Sequence, residues 1–264
     1  MNFNLNDYLL RIGYTPAGSD KDILFAVHLA HLRSIPFENL NVFAGLGISL
    51  APEDLFRKLV TDKRGGFCFE MNSLLCDALL AMGFDAEGRI ARVARPNVGF
   101  GPMLHRINLV RLGGETWVAD VGFGGDVFEQ PLLLEPELVQ RRGGADYRLM
   151  RIEGGWSIQI SRGGEFSDML GFADGRSVPE DFEVGNFYTS RHPTSGFAMC
   201  VMCARAIEDG RVSLFNNRLT VRDSGGERRT ELAAQDIPGA LYEHFGIAPE
   251  KIPPIDWARL TVST

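Results

Sequence analysis

The sequence has few cysteines, no long apolar run and no basic cluster. Its 264 residues include only 4 cysteines, too few for a secreted fold held by disulfides, so we expect reduced thiols and a cytoplasmic protein. No apolar stretch reaches the roughly 20 residues that span a bilayer, and the start of the chain lacks a basic segment followed by an apolar one. With a net charge of −7 and no basic run interleaved with aromatic residues, neither nucleic acid nor an anionic membrane is an expected partner.

The hydrophobic pattern predicts an α+β fold. Apolar residues recur at helical spacing in segments 20–35, 51–63 and 68–84, which indicates an N-terminal helical bundle. From about residue 86, short alternating runs separated by turn residues indicate an antiparallel sheet or small barrel, and a last helix is predicted over 238–247. The alternating runs are 91–96, 105–112, 115–123, 147–152, 156–161, 198–206 and 211–217.

The segment RGGFCFE, residues 64–70, carries the clearest chemical signal. Gly65 and Gly66 allow a sharp turn, and Cys68 follows at the first turn of the helix predicted over 68–84. The unpaired N–H groups and the positive dipole end of that helix stabilise a thiolate. Position alone supports a nucleophile and a buried packing residue equally for Cys68, whereas Cys76 is predicted to lie in the core.

A nucleophilic thiol needs a base, and the base needs an orienting partner. If Gly113–Gly114 is a two-residue hairpin turn, Ile107 faces Asp120, and His105 lies on the same face as Ile107. His105 and Asp120 are then diagonal neighbours with Cα atoms roughly 7 to 8 Å apart. Taken alone, His105 and Asp120 are each more simply interpreted as structural residues. Together with Cys68, they predict a catalytic triad.

These residues resemble the arylamine N-acetyltransferase family. The similarity rests on five features in that family's order. They are IPFENL (35–40), RGGFCFE (64–70), His105 in an alternating strand, ADVGFGG (119–125) and SRHPTSGF (190–197). The resemblance implies a helical bundle over 1–85, a β-barrel over 86–190 and a C-terminal α/β lid over 191–264, built around a papain-like Cys-His-Asp core.

The resemblance also implies an activity and a set of site residues. The expected reaction moves an acetyl group from acetyl-coenzyme A, the cosubstrate, to a small aromatic amine, hydrazine or hydrazide. Cys68 would be the acyl-thioester nucleophile, His105 its base and Asp120 the residue that fixes the imidazole. The weaker correspondences assign Gly101, Pro102, Tyr188 and Thr194 to coenzyme A binding, and Phe37, Leu104 and Phe123 to the substrate and acyl pocket.

Two other functions remain open from the residues alone, and no metal is expected. A thiol hydrolase of the papain or transglutaminase type uses the same triad, and a non-catalytic binding module could keep the same scaffold. Cys200 and Cys203 lie three apart in an alternating run, so their side chains should face opposite sides of a strand as two buried thiols. His28 and His31 lie on one helix face without a third ligand, so we interpret them as packing residues. The oligomeric state is not indicated.

Overall fold

The computed structural model describes residues 3–125 and 128–260, whose helices and antiparallel strands are as follows. The helices are α1 (Leu5–Ile12), α2 (Asp20–Ser34), α3 (Leu40–Phe43), α4 (Pro52–Phe56), α5 (Cys68–Ala81), α6 (Pro179–Arg191), α7 (Gly196–Met199) and α8 (Ile237–Phe245). The strands are β1 (Phe37–Glu38), β2 (Asp85–Arg95), β3 (Gly99–Phe100), β4 (His105–Leu112), β5 (Glu115–Ala119), β6 (Leu132–Leu133), β7 (Gln140–Arg142), β8 (Ala145–Ile152), β9 (Gly155–Ser161), β10 (Ser167–Ala173), β11 (Met202–Ile207), β12 (Gly210–Phe215), β13 (Arg218–Asp223) and β14 (Gly226–Glu231).

The strands form two antiparallel sheets. The larger runs in the order β6-β5-β4-β2-β10-β9-β8-β7, with β3 beside β2. Its two end strands meet through Gln140 of β7, whose side chain accepts from the Leu133 N–H at 2.8 Å and donates to the Leu133 carbonyl at 2.9 Å. This contact nearly closes the sheet into a barrel. The smaller sheet runs β1-β11-β12-β13-β14, so a strand that follows α2 pairs with the C-terminal part of the chain.

The α+β fold of bundle, barrel and C-terminal α/β part is therefore confirmed. The division at residues 85 and 190 stays a prediction, and the outer ends of the first and last predicted units lie outside the described residues. Separate hydrophobic clusters fill the helical bundle, the barrel and the space between the smaller sheet and α8. Within the described ranges, no helix is both long and apolar enough to cross a membrane.

The three predicted N-terminal helices are confirmed, together with the signals that bound them. Ser19 and Asp22 form a reciprocal cap at the start of α2, with each side chain accepting from the other's main-chain N–H. The second predicted helix is α4, extended by a π-helical turn at Arg57–Thr61. Beyond α5, Gly83 has a φ of +91°, the left-handed conformation that ends a helix without strain in glycine.

Some elements have no clear pattern in the sequence. Helix α6 was not predicted, because it buries Gly185, Asn186 and neighbouring polar residues while Val184 and Phe187 stay exposed. Strand β10 buries four consecutive residues and β14 is exposed throughout, so neither alternates, and β13 was not singled out either. Helix α1 is short.

The strand predicted over 198–206 is wrong in its first half. The chain there is helical in α7, and the strand begins only at Met202. Cys203 is buried in β11 as predicted, but Cys200 is only half-buried at the end of α7, with its thiol 3.0 Å from the Gly196 carbonyl. The two cysteines therefore belong to different elements and do not share one strand.

A buried ion network holds the loop before α5 against β1. Glu38 is fully buried and accepts from the Arg64 guanidinium at 2.6 and 3.0 Å. Arg64 also donates to the Lys251 carbonyl at 2.6 Å, which ties the loop to the C-terminal part of the chain. Lys58 pairs with Glu70 at 2.6 Å and lies 3.8 Å from Glu38. These contacts fix the segment from which Cys68 emerges.

Arg64→Met is expected to lower the free energy of unfolding by about 3 kcal/mol, because it leaves Glu38 buried without its main cation. Urea denaturation measures the loss. The matched control is Arg151→Met, which breaks an ion pair with Asp174 whose side chains are about half exposed, so water already screens it and the loss should be far smaller. Equal losses in the two variants would contradict the stabilising role given to the buried network.

Candidate active site

Cys68 is the first residue of α5, and its side chain is buried. The loop before it crosses the segment that follows α2 so closely that a Cβ at Gly65 would overlap the Pro36 carbonyl oxygen. Gly66 donates to that carbonyl at 3.2 Å, and its own carbonyl accepts from the Glu38 N–H at 2.9 Å. The glycine pair therefore directs the thiol to the positive end of a helix, where negative charge is favoured.

The hairpin of β4 and β5 has the predicted register. Gly113 and Gly114 both have positive φ angles, 61° and 83°, as a two-residue hairpin turn requires. Asn108 pairs with Ala119, which places His105 and Asp120 on one face just beyond the last pairs. Nε2 of His105 lies 2.7 Å from Oδ2 of Asp120, and both side chains are buried.

The electrostatics of this pair favour a charged imidazole. Burial alone would lower the pKa of His105, but the charge and hydrogen bond of Asp120, helped by the Cys68 side chain, raise that pKa to about 10. Burial would also raise the pKa of Asp120, but His105, Asn72 and the Gly122 N–H together hold it below its usual range. Because Asp120 occupies Nε2, Nδ1 of His105 is the nitrogen that faces Cys68. A protonated imidazole beside a thiol favours the thiolate.

Asn72 is a site residue that the sequence reasoning missed. Its amide donates to Oδ1 of Asp120 at 2.8 Å and to the Arg106 carbonyl at 2.6 Å, while its oxygen accepts from the Val121 N–H at 3.0 Å. It stands four residues after Cys68 on α5, so the helical spacing that brings i and i+4 onto one face was an available signal. Asn72 thus joins the helix that carries the thiol to the strand end that carries the acid.

Gly122 lets the barrel loop approach the start of α5. A Cβ at this position would lie 2.6 Å from the Cα of Cys68, too close for any larger residue. The Gly122 N–H also donates to Oδ1 of Asp120 at 2.8 Å. The loop after β5 can therefore bring Asp120 and His105 up to Cys68 only because glycine stands here.

His28 and His31 do not form a shared site. His28 contacts the main chain of Asp120 and the Glu129 carbonyl, whereas His31 lies 3.0 Å from the Tyr8 hydroxyl through its Nδ1. Over residues 3–125 and 128–260, no group of three or more His, Cys, Asp or Glu side chains is arranged to hold a metal ion.

Known proteins resemble this chain in both sequence and fold. A sequence model described as N-acetyltransferase matches residues 20–252. The arylamine N-acetyltransferase of Escherichia coli K12 is 34% identical over 248 residues, which cover 92% of this chain and 88% of that protein. The chain belongs to the arylamine N-acetyltransferase family. A relative of that name from Mycolicibacterium smegmatis is 35% identical over 94% of this chain and 93% of its own length. The solved structure of Mycobacterium marinum arylamine N-acetyltransferase in complex with CoA has a TM-score of 0.89 and 31% identity, with 97% of each chain covered.

The arylamine N-acetyltransferase resemblance also assigns three residues to the substrate and acyl pocket, and two of them adjoin Cys68 or His105. The Phe123 ring stands edge-on to His105, with ring centroids 5.7 Å apart. The carbonyl of Leu104 lies 3.8 Å from Sγ of Cys68. Phe37 is linked more indirectly, because its ring contacts Phe197, which in turn contacts the ring of the residue before Cys68. Phe197 is an aromatic neighbour that was not assigned a role from the sequence.

The residues assigned to coenzyme A fall into two groups. Gly101 and Pro102 lie in the loop that leads into β4, where the Gly101 N–H donates to the Val93 carbonyl at 2.9 Å. Tyr188 and Thr194 meet around His192 at the end of α6. The Tyr188 ring stacks on His192 with centroids 4.5 Å apart, and Oγ1 of Thr194 lies 2.9 Å from Nδ1 of His192. Roles for these four residues in this member of the arylamine N-acetyltransferase family stay predictions.

Proposed function

We propose that this chain transfers the acetyl group of acetyl-coenzyme A to the nitrogen of an arylamine, arylhydrazine or hydrazide through acetylated Cys68. The observation that carries the proposal is the 2.7 Å contact between His105 and Asp120 beside a thiol at a helix start. Family membership supports both substrates, because the relatives are named for arylamines and one of them was solved with CoA.

The first half-reaction acetylates the enzyme. The Cys68 thiolate attacks the acetyl carbonyl carbon, a new C–S bond forms, and the bond to the sulfur of coenzyme A breaks. Protonated His105 gives its Nδ1 proton to the leaving thiolate. The carbonyl oxygen carries negative charge during the attack, and the Cys68 N–H at the start of α5 is the proposed donor to it.

The second half-reaction returns the thiolate. The nitrogen of the amine attacks the carbonyl of acetyl-Cys68, neutral His105 takes one N–H proton, and the Cys68 sulfur leaves as thiolate. Asp120 holds the imidazole in place throughout. The rings of Phe37, Phe123 and Phe197 favour a flat aromatic acceptor over an alkyl amine through apolar and stacking contacts.

The proposal includes the surroundings of the triad. Gly101, Pro102, Tyr188 and Thr194 are the proposed coenzyme A contacts, Leu104 lines the acyl pocket, and no metal takes part. Residues 1–85 would carry the nucleophile, 86–190 the base and acid, and 191–264 the lid. We place the enzyme in the cytoplasm, because the reducing conditions there keep free thiols such as Cys68 reduced.

Acetyl-coenzyme A is expected to acetylate Cys68 without any amine, adding about 42 Da to the protein, because the acyl-enzyme forms before the acceptor is needed. Intact-mass and peptide mass spectrometry locate the group. Initial rates with an aniline or hydrazide at several concentrations should give parallel double-reciprocal lines. Intersecting lines would indicate a ternary complex and contradict the two-step mechanism, and free acetate as the sole product would make the protein a thiol hydrolase.

A further inference from the structure

His28 is a fully buried side chain that reaches from α2 to the main chain of Asp120. Its Nδ1 lies 3.1 Å from the Glu129 carbonyl oxygen. Its Nε2 lies 3.2 Å from the Asp120 nitrogen and 3.1 Å from the Asp120 carbonyl oxygen. The imidazole packs nearly parallel to the Phe128 ring, with centroids 6.0 Å apart. A helix of the N-terminal bundle therefore holds the barrel loop that carries the triad acid.

The contacts of His28 favour one tautomer. The neutral ring has one N–H for two carbonyl oxygens, that of Glu129 at Nδ1 and that of Asp120 at Nε2, each 3.1 Å away. With the proton on Nδ1 the ring donates to Glu129 and accepts from the Asp120 N–H, whereas with the proton on Nε2 it makes only the bond to the Asp120 carbonyl. A carbonyl oxygen only accepts, so Nδ1 must carry a proton to bond Glu129. Burial lowers the pKa of His28 to about 4, so the imidazole is neutral near pH 7 and Nε2 carries a lone pair. That lone pair accepts the Asp120 N–H. Two hydrogen bonds against one thus favour the Nδ1–H tautomer, which leaves Nε2 as the acceptor for the Asp120 N–H.

This acceptor matters because Asp120 lies one residue beyond the end of β5. The last paired residue of that strand is Ala119, so the sheet does not fix the Asp120 main chain. Asn72 and the Gly122 N–H hold the carboxylate at Oδ1, and His28 holds the peptide unit from the opposite direction. With both ends of the residue held, Oδ2 is directed at His105.

We propose that His28 is a positioning residue, whose neutral Nδ1–H tautomer fixes the Asp120 main chain so that the carboxylate reaches His105. This inference rests on the proposed function, because it assigns His28 to the Cys68, His105 and Asp120 triad. His28 touches no reacting atom itself, and its effect passes through Asp120.

Two substitutions separate the contacts of His28. In His28→Gln, the amide oxygen falls near the place of Nε2 and can still accept from Asp120. In His28→Asn, the shorter amide falls near Nδ1 and can donate to Glu129 but does not reach Asp120. The matched control is His31→Asn, since His31 is equally buried on the same helix but bonds the Tyr8 hydroxyl.

We expect His28→Asn to lower kcat by roughly 30- to 100-fold with little change in the KM for acetyl-coenzyme A, because a displacement of about 1 Å has such effects on catalysis. His28→Gln should stay within about 5-fold of wild type, and so should His31→Asn, since neither loses the Asp120 acceptor. The rate of Cys68 alkylation by iodoacetamide against pH is a second readout. Its acid limb should move to higher pH in His28→Asn alone, because weaker Asp120 support lowers the pKa of His105.

Measurements are made below the melting transition of each variant, which circular dichroism defines. The inference is overturned if folded His28→Asn keeps the wild-type alkylation profile, if His31→Asn changes equally, or if folded His28→Gln fails to restore the rate. Alkylation needs no acetyl-coenzyme A, so it tests the role of His28 even if wild-type Cys68 is never acetylated. That lack of acetylation would refute the proposed function instead.

If His28→Asn does not fold, ring ¹⁵N NMR of the wild type tests the inference. Protonated Nδ1 with bare Nε2 supports the inference, and any other state of the ring refutes it.

Discussion

Cys68→Ser is expected to reduce acetyl transfer by roughly 10⁴-fold or more while leaving the fold intact, as is typical when the nucleophile of a triad is lost. Serine is of similar size and fits the buried start of α5. Its hydroxyl ionises far less readily than a thiol, so the imidazolium of His105 has no thiolate beside it to attack the thioester. Release of coenzyme A in the presence of an aniline measures the rate, and circular dichroism checks the fold.

The matched control for this change is Cys76→Ser. Cys76 is buried on the same helix, and burial raises the pKa of its thiol, so it is not expected to act as a nucleophile. Cys200→Ala and Cys203→Ala extend the control to the remaining thiols. Each of these variants should keep its activity wherever it stays folded. Turnover near the wild-type rate in Cys68→Ser would rule out this cysteine as the nucleophile.

The placement of the proposed triad, Cys68, His105 and Asp120, could be predicted because each of these residues depends on short-range geometry. The Gly65–Gly66 pair and the apolar period of α5 place Cys68 at a helix start. The turn at Gly113–Gly114 fixes the register that brings His105 and Asp120 together, since a hairpin of known turn length has a single pairing. Only the contact between α5 and the β4–β5 hairpin is long-range, and the family resemblance was the basis for predicting it.

The supporting residues could not be predicted in the same way. His28 is separated from Asp120 by 92 positions, and no periodicity shows which barrel loop a buried histidine of α2 will meet. The pairing of β1 with β11 is equally remote, because Phe37 aligns with Ala204. Asn72 is the exception, since its place one turn after Cys68 is visible in the sequence. Long-range main-chain contacts are set by tertiary packing, which local patterns do not encode.

Helix α6 shows a different limit. Helices are found in a sequence by a stripe of apolar residues that face the core, but α6 buries small and polar residues and exposes Val184 and Phe187. Its Gly185 packs where a Cβ would meet the Phe69 ring at 2.6 Å, so a small residue is needed for the close approach to α5. Gly185 therefore allows α6 to pack closely against α5. Because glycine is a poor helix former, the same residue weakens the pattern from which α6 could have been predicted.

Asp120→Asn is expected to damage acetyl transfer as severely as His105→Ala, by roughly 10³- to 10⁴-fold, because it reverses the donor in the bond to the imidazole. The new amide oxygen can keep the bonds from Asn72 and Gly122 at Oδ1, which leaves the NH₂ group facing Nε2 of His105. An N–H there donates to Nε2, so the imidazole proton moves to Nδ1. In that tautomer His105 cannot accept a proton from Cys68.

The variant also changes the dependence of the site on pH. Asp120 raises the pKa of His105 to about 10 against the effect of burial, so in the wild type the imidazolium persists through the neutral range. The stabilisation from this raised pKa is full below the unfolded value of about 6.5 and is lost as the pH rises through about 10. Without the carboxylate, burial keeps His105 neutral, so Cys68 loses the imidazolium that favours a thiolate. Thiolate absorbance at about 240 nm and the alkylation rate at about pH 6 should therefore both fall.

A matched acid separates this specific role from a general loss of negative charge. Asp77→Asn also removes one carboxylate, but from α5. Asp77 is half-buried there, and its pKa is raised mainly by burial. It does not contact His105 through a hydrogen bond, so its alkylation profile should stay that of the wild type. If Asp120→Asn alkylated at the wild-type rate at low pH, the imidazolium would not depend on Asp120, and the ion pair would have to be maintained by the helix dipole alone. If Asp120→Asn and Asp77→Asn lost equal amounts of thiolate, the total negative charge around α5 would determine the ionisation of Cys68. The direct contact between Asp120 and Nε2 of His105 would then have no specific role.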